Sequence, residues 1–266
     1  MNLRKEFDLT SKILLSVAGF DPTSGAGVGL DLKAFRELGF LGMAILTSLT
    51  AQNTRGVSEL HCLSPEFLWS QYQTLAEDVV ISGIKVGMIG SKKNTVTVAR
   101  ILASHPRIPR VLDPVFKSSS GSWLVEEEAI PEYVNEMRGK ATLLTPNLKE
   151  ASMIAGIEVN KPKDMKKAGE IIFEKMQIPC LIKGGHLGNE ISDIFFDGKK
   201  HHVFDRHRLP KKVHGTGCFL SASLLAYIVK GLAVERAVSQ AIELTHRAIE
   251  TSVQVGQGQH IIDFYS

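Results

Sequence analysis

The chain has 266 residues, 44% hydrophobic and 22% charged, with a formal charge of +3. That length builds one large core, and the interleaved acids and bases leave no nucleic-acid footprint. Three widely spaced cysteines, Cys62, Cys180 and Cys218, imply neither a disulfide framework nor a zinc site, so a reducing, cytoplasmic setting is expected. The apolar run from Ile13 to Phe20 follows Arg4, Lys5 and Lys12, as a signal peptide would. Glu6 and Asp8 interrupt the basic part, and Asp21-Pro22 stands where a small-residue cleavage site belongs. The run therefore reads as a first strand. No apolar run approaches membrane-spanning length, so no membrane partner is expected.

Strands are predicted at Ile13–Ala18, Met43–Ser48, Ile84–Ile89, Arg110–Asp113, Ala141–Leu144, Cys180–Lys183, Ile191–Phe196 and Lys199–Phe204. Helices are predicted at Gly27–Leu38, Pro65–Val80, Asn94–Ser104, Glu126–Met137, Asn147–Ala155, Asp164–Met176, Gly217–Lys230 and Val234–Thr251. Ser64-Pro65 is an N-cap followed by proline at the first helical position. Gly39, Gly156 and Gly231 fall where helices should stop, and Asp197-Gly198 signals a hairpin. The early strands are nearly all apolar, as in a parallel sheet covered on both faces. The alternation predicts one α/β/α domain over residues 1–266, with an antiparallel portion near Asp197. Ligands in such sheets bind beyond the carboxyl ends of the strands.

The first strand is followed by Gly19-Phe20-Asp21-Pro22-Thr23-Ser24-Gly25-Ala26-Gly27. Gly25-x-Gly27 invites a dinucleotide reading, but Leu30 replaces the third small residue and no acid ends the second strand. Asp31 shares a helix face with Val28, Leu32, Phe35 and Leu38, so it needs a partner. It is either satisfied by the helix N-terminus or an acceptor for a polar ligand. Asp113 ends a strand. Asn147 and Glu150 have capping-box spacing, and Asp113 with Glu150 could also reach a magnesium ion beside phosphates. Lys183-Gly184-Gly185 offers a cation before a flexible turn, or merely a solvated lysine. No Walker A pattern exists, and His201, His202 and His207 lack metal-type spacing. Finally, His214-Gly215-Thr216-Gly217-Cys218 opens an apolar helix. The free amides and dipole there suit an anion, and the position is expected to lower the Cys218 pKa. A glycine turn that merely starts a core helix around an inert thiol is the alternative.

These stretches, in this order, resemble the ribokinase-like kinases, specifically the hydroxymethylpyrimidine/phosphomethylpyrimidine kinases of thiamine biosynthesis. The resemblance also covers Asp31-Leu32-Lys33, Leu49-Thr50-Ala51-Gln52-Asn53-Thr54, Lys85-Val86-Gly87-Met88 and Leu112-Asp113-Pro114-Val115. It implies an α/β/α ribokinase-like fold, MgATP as donor, and phosphorylation of 4-amino-5-hydroxymethyl-2-methylpyrimidine and of its monophosphate. It implies that Asp31, Thr50, Gln52 and Met88 line the pyrimidine pocket, with Gln52 reading the aminopyrimidine edge. Lys183, Asn147 and His214 would serve the nucleotide, and Glu150 with Asp113 the metal. Gly215, Thr216, Gly217 and Cys218 would form the anion hole and place the group that deprotonates or orients the alcohol. The resemblance further implies a homodimer and leaves a monovalent-cation requirement open. Most ribokinase relatives carry Asp where this chain has Cys218; the pyrimidine kinases and a pyridoxal-kinase subgroup carry Cys.

Two departures stand out. The family commonly has Lys-Ser-Gly where this chain has Ser119-Ser120-Gly121, with the lysine at Lys117, and Asn-Thr where this chain has Lys212-Val213. A pyridoxal-type kinase is the near alternative, and a dinucleotide-dependent oxidoreductase or a non-catalytic precursor sensor are alternatives from other classes.

Overall fold

A computed structural model describes residues 12–118, 121–184 and 190–264. The basic and acidic residues before Lys12, Ser119, Ser120, Gly185 and His186 lie outside the described residues.

β1 (Ile13–Phe20) is buried on both sides, which explains its unbroken apolar run. It pairs in parallel with β2 (Leu41–Asn53) on one side and with β4 (Ile81–Val86) on the other. The sheet extends through β5 (Arg110–Leu112), β6 (Leu143–Leu144) and β7 (Cys180–Ile182), all parallel. Antiparallel strands close both edges: β3 (Gly56–Cys62) beside β2, and β8 (Glu190–Phe196) with β9 (His201–His207) beside β7. Among the described residues the order is β3-β2-β1-β4-β5-β6-β7-β8-β9. The strand order reverses at β1 while the strands stay parallel, so the crevice in which such sheets bind ligands falls at the carboxyl ends of β1 and β4.

Helices cover both faces. α2 (Pro65–Ala76), α3 (Lys92–Ala103), α4 (Ile130–Met137), α5 (Leu148–Ala155) and α6 (Pro162–Met176) bury residues such as Leu68, Ile101, Tyr133, Ile154 and Met165 on one side. α1 (Gly27–Glu37), α7 (Thr216–Val229) and α8 (Val234–Glu250) bury Phe35, Phe219, Leu225 and Val238 on the other. α7 is apolar nearly all round because it lies between the sheet and α8. A small parallel pair, β10 (Val213–His214) and β11 (His260–Ile261), ties the end of the chain to the segment before α7. No helix among the described residues is long and apolar enough to cross a membrane.

The structure follows the expected order, with differences beyond the added pair β10 and β11. β3 is an additional, half-exposed edge strand. β4 starts at Ile81 and ends at Val86, which frees Gly87, Met88 and Ile89 for the site. The predicted helix over Glu126–Met137 is a short 3-10 turn at Glu127–Ala129 followed by α4, since Pro131 lacks the amide to continue a helix from upstream.

Candidate active site

Two glycine loops meet above the crevice. The first, residues 19–27, folds back so that Phe20 bridges Gly27. Gly27 has φ +58°, and a Cβ on it would stand 2.3 Å from the Gly19 carbonyl oxygen. The second loop caps α7 with Gly215 at φ +76°, where a Cβ would stand 1.9 Å from the Gly25 carbonyl oxygen. Both positions need glycine, and together they press the loops into contact. No side chain caps α7, so the first-turn amides at Thr216, Gly217 and Cys218 lack a capping partner. This is the anion-binding arrangement expected for these residues.

Lys183, just after β7, reaches over that helix start. Its Nζ donates to Asp113 Oδ1 at 2.7 Å, and a Cβ on Gly217 would lie 3.1 Å from it. Burial opposes the charge, but Asp113 and Glu150 hold the Lys183 ammonium above its ordinary range. Asp113 is buried; Thr145 also donates to its Oδ1 at 3.0 Å, and Ser221 to Oδ2 at 3.4 Å. Burial is outweighed there by Lys183 and Lys85, which keep Asp113 below the usual carboxylate range. Of the two oxygens of Asp113, expected from the sequence as a metal ligand, Oδ1 is occupied by an ammonium and a hydroxyl, and Oδ2 has the Ser221 hydroxyl at 3.4 Å.

Asn147 and Glu150 make a full capping box at the start of α5. Asn147 Oδ1 accepts from the Glu150 amide at 3.0 Å, and Glu150 Oε2 from the Asn147 amide at 2.8 Å. The capping explanation is therefore right about the contacts. Burial nevertheless pushes the Glu150 carboxyl up, with the nearby Asp113 charge adding to the effect. Asp113 takes the one ammonium of Lys183, and Glu150, pushed up to about 8, holds its proton at neutral pH until a cation favours its ionised form. No group of three His, Cys, Asp or Glu that could hold a metal exists among the described residues. A magnesium ion bound through one carboxylate plus phosphates and water fits that donor set; a metal needing a full protein cage does not.

Cys218 lies on the first turn of α7, partly exposed, with its sulfur engaged by the Gly27 backbone. The expectation of a lowered pKa is overturned. Burial pushes the thiol up to about 11; Lys85 pulls it down, but Asp113 and Asp31 push it back up. The helix terminus does not overcome desolvation beside two carboxylates.

The acceptor side is built by β2 and by the loops after β1 and β4. Thr50 Oγ1 lies 3.0 Å from the Phe20 carbonyl oxygen and 3.2 Å from Gln52 Oε1. Gln52 Nε2 lies 2.9 Å from His214 Nε2. Met88 packs so tightly over Gly19 that a Cβ there would meet its methyl at 2.0 Å. The ring of His214, which the resemblance gives to the nucleotide, faces Gln52 and Asp21, the latter at 2.9 Å, because β10 and β11 turn it toward the first glycine loop.

Asp31 does not line this pocket. It is fully buried, and both oxygens are taken, at 2.8 and 2.9 Å by Lys85 Nζ and at 2.6 Å by Ser16 Oγ. Burial works against the ammonium, yet Asp31 holds Lys85 above its ordinary range. Sequence reasoning missed Lys85 as that partner, and missed Asp21. The available signals were a lysine inside an apolar strand, Ile84-Lys85-Val86, and an acid directly after a strand.

Comparisons with known proteins agree with this geometry. The family model described as phosphomethylpyrimidine kinase matches residues 21–263. The hydroxymethylpyrimidine/phosphomethylpyrimidine kinase of Aquifex aeolicus is 36% identical over 254 residues, covering 95% of this chain and 100% of that protein. A phosphomethylpyrimidine kinase structure from Clostridium difficile 630 superposes with a TM-score of 0.79 at 32% identity, covering 90% of this chain and 100% of that one. The Staphylococcus aureus pyridoxal kinase, in complex with AMP-PCP and pyridoxal, gives a TM-score of 0.86 at 28% identity, covering 95% and 93%. With its uncapped helix and the lysine over that helix start, the chain belongs to the phosphomethylpyrimidine kinase family, has the ribokinase-like fold, and is a phosphotransferase.

Proposed function

We propose that the protein transfers the γ-phosphoryl group of ATP to the hydroxymethyl oxygen of 4-amino-5-hydroxymethyl-2-methylpyrimidine, and then phosphorylates the monophosphate, in thiamine biosynthesis. One observation carries this reading: Gln52, an amide suited to a pyrimidine edge, touches His214, which opens the loop ending in Cys218. The group that reads the ring and the group beside the reacting oxygen are thereby neighbours.

Thr50, Gln52 and Met88 hold the heterocycle. The amides of Gly215, Thr216, Gly217 and Cys218, with Lys183, stabilise charge on the migrating phosphoryl group. Glu150, oriented by Asn147, would hold magnesium, which supplies charge neutralisation on the phosphates. Cys218 keeps its proton at neutral pH, so it serves to orient the acceptor hydroxyl, whose proton passes to an oxygen of the transferred phosphoryl group as the new P–O bond forms and the bond to ADP breaks. In the second step the acceptor is already an anion, so the sulfur contributes less. A homodimer belongs to this proposal, supported by Phe20 and Leu49, exposed neighbours across β1 and β2. Its three free cysteines suit a cytoplasmic setting.

The test is a parallel incubation of the purified protein with MgATP and either the pyrimidine alcohol or pyridoxal, with products resolved by mass. The expected result is a pyrimidine monophosphate, then a diphosphate. Turnover of pyridoxal alone, or of neither, overturns the proposal.

A further inference from the structure

Two neighbours of the Gln52 amide have hydrogen-bonding roles that can be read from their own partners. His214 Nε2 faces two groups at once, Asp21 Oδ2 at 2.9 Å and the Gln52 amide at 2.9 Å. A ring nitrogen either carries a proton and donates, or is bare and accepts. A bare Nε2 would set a lone pair against a carboxylate. Asp21 is ionised: burial opposes this, but hydrogen bonds from His214 and Thr23 keep its carboxyl below the usual range. So Nε2 carries the proton, and Asp21 accepts it. The Gln52 atom facing that N–H must then be the amide oxygen.

The other end of the amide gives the same answer independently. Thr50 has one hydroxyl proton, and the Phe20 carbonyl oxygen, 3.0 Å away, can only accept it. Toward Gln52, Thr50 Oγ1 therefore offers a lone pair, and the amide atom 3.2 Å away must be the NH2 group. The oxygen and nitrogen of an amide occupy interchangeable places, so this network decides between them.

We propose that Asp21 and His214 are specificity-determining positioning residues: they fix the Gln52 amide with its oxygen toward His214 and its NH2 toward Thr50, leaving one N–H of Gln52 for an acceptor atom on the substrate. The acceptor it fits is a ring nitrogen lone pair of a flat heterocycle. The frame is rigid. Thr23 donates to Asp21 Oδ1 through both its amide and its hydroxyl, each at 2.9 Å. β10 pairs His214 with Ile261, and a Cβ on Gly25 would stand 3.0 Å from the imidazole Cδ2. The ring thus lies close against the Gly25 backbone. This inference deepens the proposed function and rests on its placement of the heterocycle at Gln52.

Nitrogen-15 NMR of the imidazoles in the substrate-free protein tests the frame, with the His214 signals assigned by their absence in His214→Gln. The expected spectrum has Nε2 protonated; a bare Nε2 overturns the proposal. Asp21→Asn supplies the second arm. Its amide oxygen must stay with the two Thr23 donors, so its NH2 faces His214 and forces the bare-Nε2 tautomer. His214 and Thr50 then favour opposite polarities of the Gln52 amide. KM for the pyrimidine alcohol should rise about 10-fold, the value of one hydrogen bond, with KM for ATP unchanged. The wild-type preference over an analogue with C–H in place of the ring nitrogen should collapse in Asp21→Asn. An unchanged KM and an unchanged preference overturn the proposal. The NMR arm needs no substrate, so failure of the pyrimidine assignment and failure of the positioning role are separately visible.

Discussion

Two lysine–carboxylate pairs lie within this fold, and their surroundings assign them different work. Lys85 and Asp31 are both sealed from solvent, at 0% exposure each, and Ser16 completes the network. Lys183 and Asp113 differ: the lysine side chain is 15% exposed, rises beside the first turn of α7, and shares its charge with Glu150. The first pair ties α1 to β1 and β4, and beyond that adds only its field, at Cys218 and, through Lys85, at Asp113. The second is open on the side where phosphates would lie. An ammonium closed in by its own carboxylate is a structural tie, whereas one with an open face and a surplus of carboxylates around it is available to a ligand.

The largest effect that would break this contrast is on turnover. Lys183→Met should lower kcat by about 10²–10³-fold, as expected for removing a charge that stabilises the transition state. A kcat within a few-fold of wild type would place Lys183 with Lys85. Lys85→Met should instead cost stability, about 3–5 kcal/mol by urea unfolding, because it strands the Asp31 carboxylate. The double variant Asp31→Leu with Lys85→Met should recover most of that loss. If it does not, Lys85 has a role beyond pairing.

Cys218→Ser sharpens the contrast at the sulfur between the pairs. The alcohol step should slow by about 10- to 100-fold and the monophosphate step by clearly less, since only the first acceptor carries a proton to be moved. Equal losses would remove that division of labour. Iodoacetamide labelling of Cys218 should rise with pH through an inflection at about 11. The sign follows from the burial that keeps the proton on in the folded state; a plateau already reached by neutral pH would contradict it. The smallest effect is expected from Gly217→Ala, whose methyl would crowd the flexible tip of Lys183 at 3.1 Å but touch nothing around Lys85. A modest rise in KM for ATP with unchanged stability is the expected reading.

The strands and helices that bury an apolar face were legible because their periodicity is local. β3 escaped because Gly-Val-Ser-Glu-Leu-His-Cys is a half-exposed edge with no apolar stripe, and β10 and β11 because two residues carry no period. At the site, the glycine loops and the capping box were visible from spacing alone. Partners distant in sequence were not. Asp31 was recognised as needing a partner, but Lys85 lies 54 residues away. The direction of the Cys218 shift failed for the same reason: its position on a helix start is local, whereas Asp113 and the burial that outweigh it come from elsewhere in the chain.

The two-residue pairing of β10 with β11 has a consequence for how the protein comes into being. His214 is held by β11, made after it, and the anion hole belongs to α7, whose outer cover, α8, also follows it. During translation the sheet can assemble while its crevice still lacks a phosphate cradle. Nascent chains should therefore be catalytically silent until β11 leaves the ribosome, and a polypeptide stopped before Val253 should fold much of its interior without gaining turnover.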